Sequence, residues 1–310
     1  MLEGILLKGY GGFYFVQVQQ EVWECSLRGR FRVKKQDFLP GDHVRILPVG
    51  DHSATIEHVY PRSSEMARPP VANVEQVILV FPLTTPAPDR VLLDRILLQA
   101  LFSGLGAAIV FTKIDLLRDR QGEEVDLSLS AVYRRGGFPV VIVSNLSGEG
   151  RDKAEALLRD RISVLAGPSG AGKSSLLNML QVGLGLKTGA VSEKIGRGRH
   201  TTRHVELLPI VGGLVADTPG FSSLHLPVMV KEDLQKGFPE IAAYQGQCRF
   251  SGCLHETEPD CAVREAVEDG SLDKGRYKHY VMFLREISLQ AKYNDTKRRH
   301  PDNSQRRRKQ

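Results

Sequence analysis

Residues 167–175 read GPSGAGKSS, which places Gly167, Gly172, Lys173 and Ser174 in the pattern G-x-x-x-x-G-K-[ST]. Those residue types at that spacing make a phosphate cradle. The glycines let backbone N–H groups turn inward around phosphate oxygens, the lysine reaches the β and γ phosphates, and the serine hydroxyl coordinates Mg²⁺. Downstream, DTPG (217–220) closes an apolar run. There Asp217 can hold Mg²⁺ through water, and the Gly220 N–H can sense a γ phosphate. Between the two lies GRGRHTTRH (196–204), too polar for a core element. Either Thr201 or Thr202 could complete the Mg²⁺ and γ-phosphate shell from a mobile loop.

A second constellation precedes the cradle. FTKID (111–115) ends the apolar run GAAIVFTKID, and VSN (143–145) ends the next one. In a guanine site Asp115 would accept hydrogen bonds from the ring N–H and the exocyclic amine, a pattern adenine lacks, with the Lys113 stem packed on the base. A backbone N–H of the VSN segment, around Ser144 and Asn145, is placed to meet the guanine oxygen. A third constellation lies at CRFSGCLHETEPDC, which gives C-x4-C-x-H-x5-C with Cys248, Cys253, His255 and Cys261. Three thiolates and an imidazole form a closed tetrahedral shell of the structural zinc type, with no open position for catalysis. The fourth cysteine, Cys25, lies in the aromatic segment VWECSL and reads as a small buried residue.

Positioning these groups requires a particular order of elements. GFYFVQVQ (12–19), VWECSLRG (22–29) and HVRILPV (43–49) are short aromatic or β-branched strands separated by Gly and Pro turns. Their spacing predicts a small barrel of the OB type. Such barrels bind nucleic acid in many proteins and are purely structural in others. PRSSEMARPPVAN (61–73) reads as the linker out of it. From Glu75 strands alternate with amphipathic helices: QVILVF, GAAIVFT, FPVVIVS, ISVLAG, then VELLPIV and GLVADTPG. That alternation predicts a parallel sheet covered on both faces, with ligands at the carboxyl ends of its strands. All the nucleotide motifs fall at such ends.

Composition limits the remaining classes. The chain has 310 residues, 41% of them hydrophobic, enough for two or three domains. No apolar run approaches the roughly 20 residues that span a bilayer, and the N-terminus lacks a signal-peptide layout, so a cytoplasmic protein without membrane contact is expected. Residues 292–310 carry eight Lys or Arg and two Asp, which leaves 34 basic and 34 acidic residues elsewhere. The whole excess of +6 therefore sits in the tail. It has too few apolar residues to order itself and is drawn to polyanions; a solubilising tail with no partner is the alternative.

In ordinary GTP-binding proteins the phosphate loop comes first. Here the order is TKID, VSN, GPSGAGKS, HTT, DTPG, a circular permutation. With the N-terminal barrel and the C-terminal C-x4-C-x-H-x5-C segment, the chain resembles the RsgA (YjeQ/YloQ) family, small ribosomal subunit-dependent GTPases of late subunit assembly. The resemblance implies a multi-domain fold: an OB-type barrel (1–65), a circularly permuted α/β P-loop GTPase domain (66–222), a zinc-binding helical domain (223–291) and the disordered basic tail (292–310). It further implies GTP hydrolysis stimulated by the 30S subunit, one structural Zn²⁺, Mg²⁺ with the nucleotide, and contact with 16S rRNA, with no DNA partner. A monomer is expected, since no heptad or exposed apolar repeat stands out. Carried over residue by residue, Thr112, Lys113 and Asp115 bind guanine, while Gly167, Pro168, Ser169, Gly170, Ala171, Gly172, Lys173, Ser174 and Ser175 bind phosphate.

Three positions depart from the common pattern. Thr112 stands where general GTPases have Asn, Asn145 where Ala is usual, and Arg203 where a third Thr is frequent. Phe221 follows DTPG, where many GTPases carry a water-orienting Gln, and a benzyl group cannot do that work. Intrinsic hydrolysis should therefore be slow, with His200 the candidate to position water once RNA orders its loop; His200 as a plain surface residue is the alternative. An adenine-specific ATPase and an RNA-binding scaffold with a vestigial nucleotide site are the competing readings.

Overall fold

The computed structural model describes residues 1–29, 31, 37–118, 127–181, 184, 205–216 and 225–290, and 291–299 as backbone. The first five strands are β1 (Leu2–Tyr10), β2 (Phe13–Val18), β3 (Glu21–Leu27), β4 (His43–Gly50) and β5 (Ser53–Val59), closed into a barrel in the order β1-β2-β3-β5-β4. β3 and β5 run parallel and every other barrel pair is antiparallel. Alternation turns Leu6, Val16, Cys25, Val44, Ile46 and Ile56 inward to fill it. Burial, and after it the charge of Glu24, pushes the Cys25 thiol up to about 12, so it is inert packing.

The segment expected to be a linker is instead folded. It forms a hairpin, β6 (Glu65–Ala67) and β7 (Pro70–Ala72), with Val71 and Ala72 fully buried. Asn73 Nδ2 donates to the Gly41 carbonyl at 2.8 Å, and its Oδ1 accepts from the Ser63 N–H at 2.8 Å. The barrel is thereby fastened to the hairpin that leads into the sheet. A Lys8–Glu206 ion pair at 2.8 Å adds a surface contact between barrel and sheet.

The central sheet comprises β8 (Gln76–Pro82), β9 (Gly106–Thr112), β10 (Val140–Ile142), β11 (Ile162–Ala166), β12 (Leu207–Ile210) and β13 (Gly213–Ala216) in the order β10-β9-β8-β11-β13-β12. The first five strands in that order run parallel, as the alternation of elements predicts. β12 departs from that expectation and pairs antiparallel with β13. The reason is local: Val211 (φ 45°) and Gly212 (φ 82°) both adopt positive φ, the two-residue turn that matches strand twist and closes a hairpin. All seven residues of β8 are buried, as a central strand covered on both faces requires.

The helices are α1 (Arg90–Phe102), α2 (Asp115–Arg118), α3 (Ser128–Arg135), α4 (Arg151–Leu158) and α5 (Lys173–Leu180). Asp89 caps α1, its carboxylate accepting the Leu92 N–H at 2.9 Å. One apolar cluster packs α1 and α3 on one sheet face, and a second packs α4 and α5 on the other. The C-terminal part holds a 3-10 helix (Lys231–Gly237), then α6 (Pro239–Ala242), α7 (Ala262–Glu268) and α8 (Lys274–Arg299). α8 continues through residues 292–299, where the sequence composition predicts disordered tail. The core of this part recruits Leu98, Val91 and Phe102 from α1, so it is built onto the sheet domain. Among the described residues no helix is long and apolar enough to cross a membrane.

Candidate nucleotide and metal sites

β11 delivers residues 167–172 to the carboxyl edge of the sheet, and α5 begins at Lys173. Gly167 has φ 142°, and a Cβ there would lie 2.0 Å from the Val80 carbonyl oxygen of β8, so only glycine allows the loop to leave between two packed strands. Lys173 Nζ donates to the carbonyls of Gly167 and Pro168 at 2.8 and 3.0 Å, across the loop it belongs to. Gly172 precedes α5 in a left-handed conformation with no side-chain cap, so the positive end of the helix opens on the loop, beside Ser174.

The two loops expected to read a base converge on this cradle. Thr112 is fully buried, and its hydroxyl donates to the Ala171 carbonyl at 2.6 Å. Its one proton is thus committed to a strut between β9 and the phosphate loop. Lys113 adopts φ 63° and donates from Nζ to the Thr85 carbonyl at 3.0 Å. Asp115 opens α2, and its Oδ1 accepts from the buried Ser144 hydroxyl at 2.7 Å. The same Ser144 oxygen accepts the N–H of Ser147 at 3.1 Å, which fixes the hydroxyl proton on Asp115. Sequence reasoning missed this orienting role because it depends on a contact 29 residues apart. Asn145 Nδ2 donates to the Gly172 carbonyl at 3.2 Å. The structure therefore brings together Thr112, Lys113, Asp115, Ser144, Asn145 and residues 167–175. His200, Thr201, Thr202, Asp217, Gly220 and Phe221 lie outside the described residues.

Cys248, Cys253, His255 and Cys261 also converge, their ligand atoms all within 4.8 Å of one another. Cys248 Sγ lies 3.8 Å from Cys261 Sγ, and His255 Nδ1 lies 3.5 and 3.4 Å from those two sulfurs. A tetrahedron with metal–sulfur distances of about 2.3 Å has edges of about 3.8 Å, so the donor set fits Zn²⁺. Burial lowers the His255 pKa and so favours the neutral, ligating imidazole. Burial also pushes the Cys253 thiol up to about 12, a balance that a divalent cation reverses by holding the thiolate. Around the cluster, Tyr277 and Tyr280 of α8 donate their hydroxyls to the His255 and Leu254 carbonyls at 2.8 and 3.1 Å. Burial opposes ionisation of Glu258, but the N–H groups of Leu254, Thr257 and Glu256 outweigh it and lower its pKa, which folds the loop around a carboxylate.

A buried ionic group joins the two halves. Asp94 of α1 accepts from Tyr133 Oη of α3 at 2.8 Å, from Arg276 Nη1 at 2.5 Å and from His279 Nδ1 at 2.6 Å. Arg276 also donates from Nε to Glu240 at 2.6 Å and stacks 4.4 Å from the Phe238 ring centroid. Burial, and then the Asp94 charge, holds the Tyr133 phenol well above its ordinary range, so it remains a donor. Removing one partner strands the others in low dielectric. Asp94→Ala is therefore expected to destabilise the protein by about 3–5 kcal/mol, seen as a lower urea midpoint. An Asp94→Leu, Arg276→Met double variant should recover only part of that loss, because Glu240, Tyr133 and His279 still lose their partners.

A largely parallel sheet with its phosphate loop after β11, and with the loops that leave β9 and β10 packed against that cradle although they precede it in the chain, defines a circularly permuted P-loop GTPase fold. The models of the RsgA N-terminal domain and the RsgA GTPase match residues 3–56 and 59–227. The chain belongs to the RsgA family. It is 50% identical over 287 residues to the small ribosomal subunit biogenesis GTPase RsgA of Moorella thermoacetica, covering 92% of this chain and 97% of that one. It is 47% identical to the protein of the same name from Geobacillus kaustophilus, over 93% and 98% of the two chains. Of solved structures, YloQ, described as a circularly permuted GTPase, superposes with a TM-score of 0.75 at 37% identity over 94% of this chain and 96% of that one. YjeQ from Thermotoga maritima superposes with a TM-score of 0.74 at 35% identity, covering 92% and 98%.

Proposed function

We propose that this protein hydrolyses GTP to GDP and phosphate in the biogenesis of the small ribosomal subunit, in the cytoplasm, with the 30S particle as the stimulating partner. The GTPase activity and the biogenesis role are those carried in the names of its relatives. The observation that supports this most directly is the junction of base-reading and phosphate-binding loops: Ser144 aims the Asp115 carboxylate, and Thr112 ties that same strand to Ala171.

In this reading Asp115 pairs with the guanine N–H groups, and the 143–145 loop meets the guanine oxygen. Lys173 leaves the Gly167 and Pro168 carbonyls for the β and γ phosphates. Mg²⁺, when bound, neutralises charge developing on the phosphates. Ser174 would hold it, with Asp217 and Thr201 or Thr202. The Gly220 N–H would sense the γ phosphate. Catalysis of this class is mainly positioning and electrostatics, and with Phe221 where a water-orienting Gln is common, the isolated protein should turn over slowly. His200 would position water once 16S rRNA orders its loop, and Zn²⁺ would staple the helical part.

The test is GTP and ATP turnover, each measured with 30S subunits, 50S subunits and neither. GTP turnover should rise with 30S alone, and ATP turnover should stay at background. Equal stimulation of ATP would overturn the guanine assignment. Within the same assay, His200→Ala retaining full 30S stimulation would remove that residue from the mechanism.

A further inference from the structure

Asn145 follows Ser144, whose hydroxyl orients Asp115, and makes a contact that a backbone-only role does not require. Its Nδ2 donates to the Gly172 carbonyl at 3.2 Å. That carbonyl also accepts the Leu176 N–H at 2.8 Å, in the first turn of the helix that presents Lys173 and Ser174. Residue 172 is a glycine at φ 92°, and a Cβ there would crowd Asn145 Nδ2 at 3.0 Å. Thr112, on the neighbouring strand, has already committed its single hydroxyl proton to Ala171. Two loops thus grip two successive carbonyls of the phosphate loop. Asn145 Oδ1 is meanwhile buried without a hydrogen-bond partner among the described residues. A half-satisfied buried amide costs stability, so local packing does not account for the choice of asparagine here.

We propose that Asn145 is a positioning residue that clamps the guanine-reading loop to the phosphate cradle, so that base recognition and phosphate binding act as one rigid unit. The proposal rests on the GTP reading above. The connection runs from Asp115 through the Ser144 hydroxyl, along one peptide to Asn145, and across to Gly172 and α5. Each half of the nucleotide could bind its own half-site without it. What the clamp supplies is fixed spacing and orientation between the halves, which reduces the ordering cost when both are engaged by one ligand. The same contact compensates for Thr112, whose hydroxyl offers one donor where the carboxamide of an asparagine offers two.

The experiment compares GDP, guanosine alone and pyrophosphate alone, binding to the wild type, Asn145→Ala and Asn145→Asp proteins. Asn145→Ala should weaken GDP about tenfold, whereas guanosine and pyrophosphate should each change by less than about twofold. Asn145→Asp should weaken GDP further, because it turns an acceptor toward the Gly172 carbonyl, again sparing the two fragments. If all three ligands weaken alike, or Asn145→Asp binds GDP as the wild type does, the clamp is wrong and the side chain is only structural or idle. A wild-type protein that binds no GDP at all overturns the GTP reading and the clamp with it, a result distinct from the other two.

Discussion

An Asp115→Asn protein is expected to lose GTP binding by roughly 10²- to 10⁴-fold and to gain affinity for xanthosine triphosphate. The carboxylate would accept two N–H groups of guanine, and charge-assisted hydrogen bonds are worth about 1.5–3 kcal/mol each, so losing both removes about 3–6 kcal/mol. The Ser144 hydroxyl, which donates to Oδ1 at 2.7 Å, determines how the replacement amide sits. Its oxygen takes the Ser144 side and its NH₂ faces the base, where it repels the guanine amine and donates to the carbonyl that xanthine carries instead. Competition binding with GTP, XTP and ATP reads the result. An Asp115→Asn protein that keeps GTP affinity and gains none for XTP would remove Asp115 from base recognition. Gain of ATP by the wild type would point to the adenine-specific alternative.

Much of this site is legible in residue order, because its chemistry depends on backbone geometry that a few residue types encode. Gly167 is required where the loop passes the Val80 carbonyl, and Lys173 and Ser174 must open the helix beyond it. The sequence order, with FTKID before GPSGAGKS, becomes a statement about topology once β9 and β8 are seen to flank β11 on the side away from β13. The permuted chain keeps the pocket because the strands keep their places while the connections change. The barrel is legible from β2, β3 and β4, whose aromatic and branched residues alternate. β5 is not, since SATIEHV buries only Ile56 and the small Ala54 fully in the barrel core, with Val59 half-buried at its end. The hairpin at β6 and β7 is hidden by its prolines, which read as a linker although Pro70 only begins a strand.

Contacts between elements far apart in sequence are illegible by comparison. Asp94 sits in DRVLLDRILLQALF and looks like the polar position of an amphipathic helix, yet it is fully buried and meets Arg276, 182 residues away. Nothing local marks either residue for burial, since their charges are compensated by residues far away in sequence, Asp94 by Arg276 and His279 and Arg276 also by Glu240. The same holds for Ser144 with Asp115 and for Asn145 with Gly172. Such pairs carry the joining of the domains and of the half-sites, while the motifs carry the chemistry at each end. A physical link therefore runs from the nucleotide site to the metal-bearing part through packed side chains. α3, which leads into β10 and the 143–145 loop, reaches α8 through Tyr133, Asp94 and Arg276.

Stripping the metal with a chelator, or replacing Cys261 by Ser, should unfold residues 248–261 and α7 while leaving the nucleotide site intact. Structural Zn²⁺ sites of this donor type contribute about 10–16 kcal/mol of apparent binding energy, comparable to the whole stability of a domain, so the loop cannot keep its fold without the ion. Its shape otherwise depends on Glu258 holding three N–H groups and on Tyr277 and Tyr280 reaching two carbonyls, each a contribution of about 1 kcal/mol. α8 itself should stay docked, because Arg276 and His279 anchor it to Asp94 and Phe283 and Leu284 pack into the core that Leu98 shares. Hydrogen exchange should therefore show protection lost over 248–268 and kept over the first half of α8, with GDP affinity unchanged within about twofold, as expected for sites without shared partners. Acid should release the ion as well, since three thiolates and one imidazole must take up protons as the pH falls. Unchanged exchange over 248–268 after complete metal removal would show that the cluster does not hold this part together, and a collapse of GDP binding would show that the two sites share a folding unit.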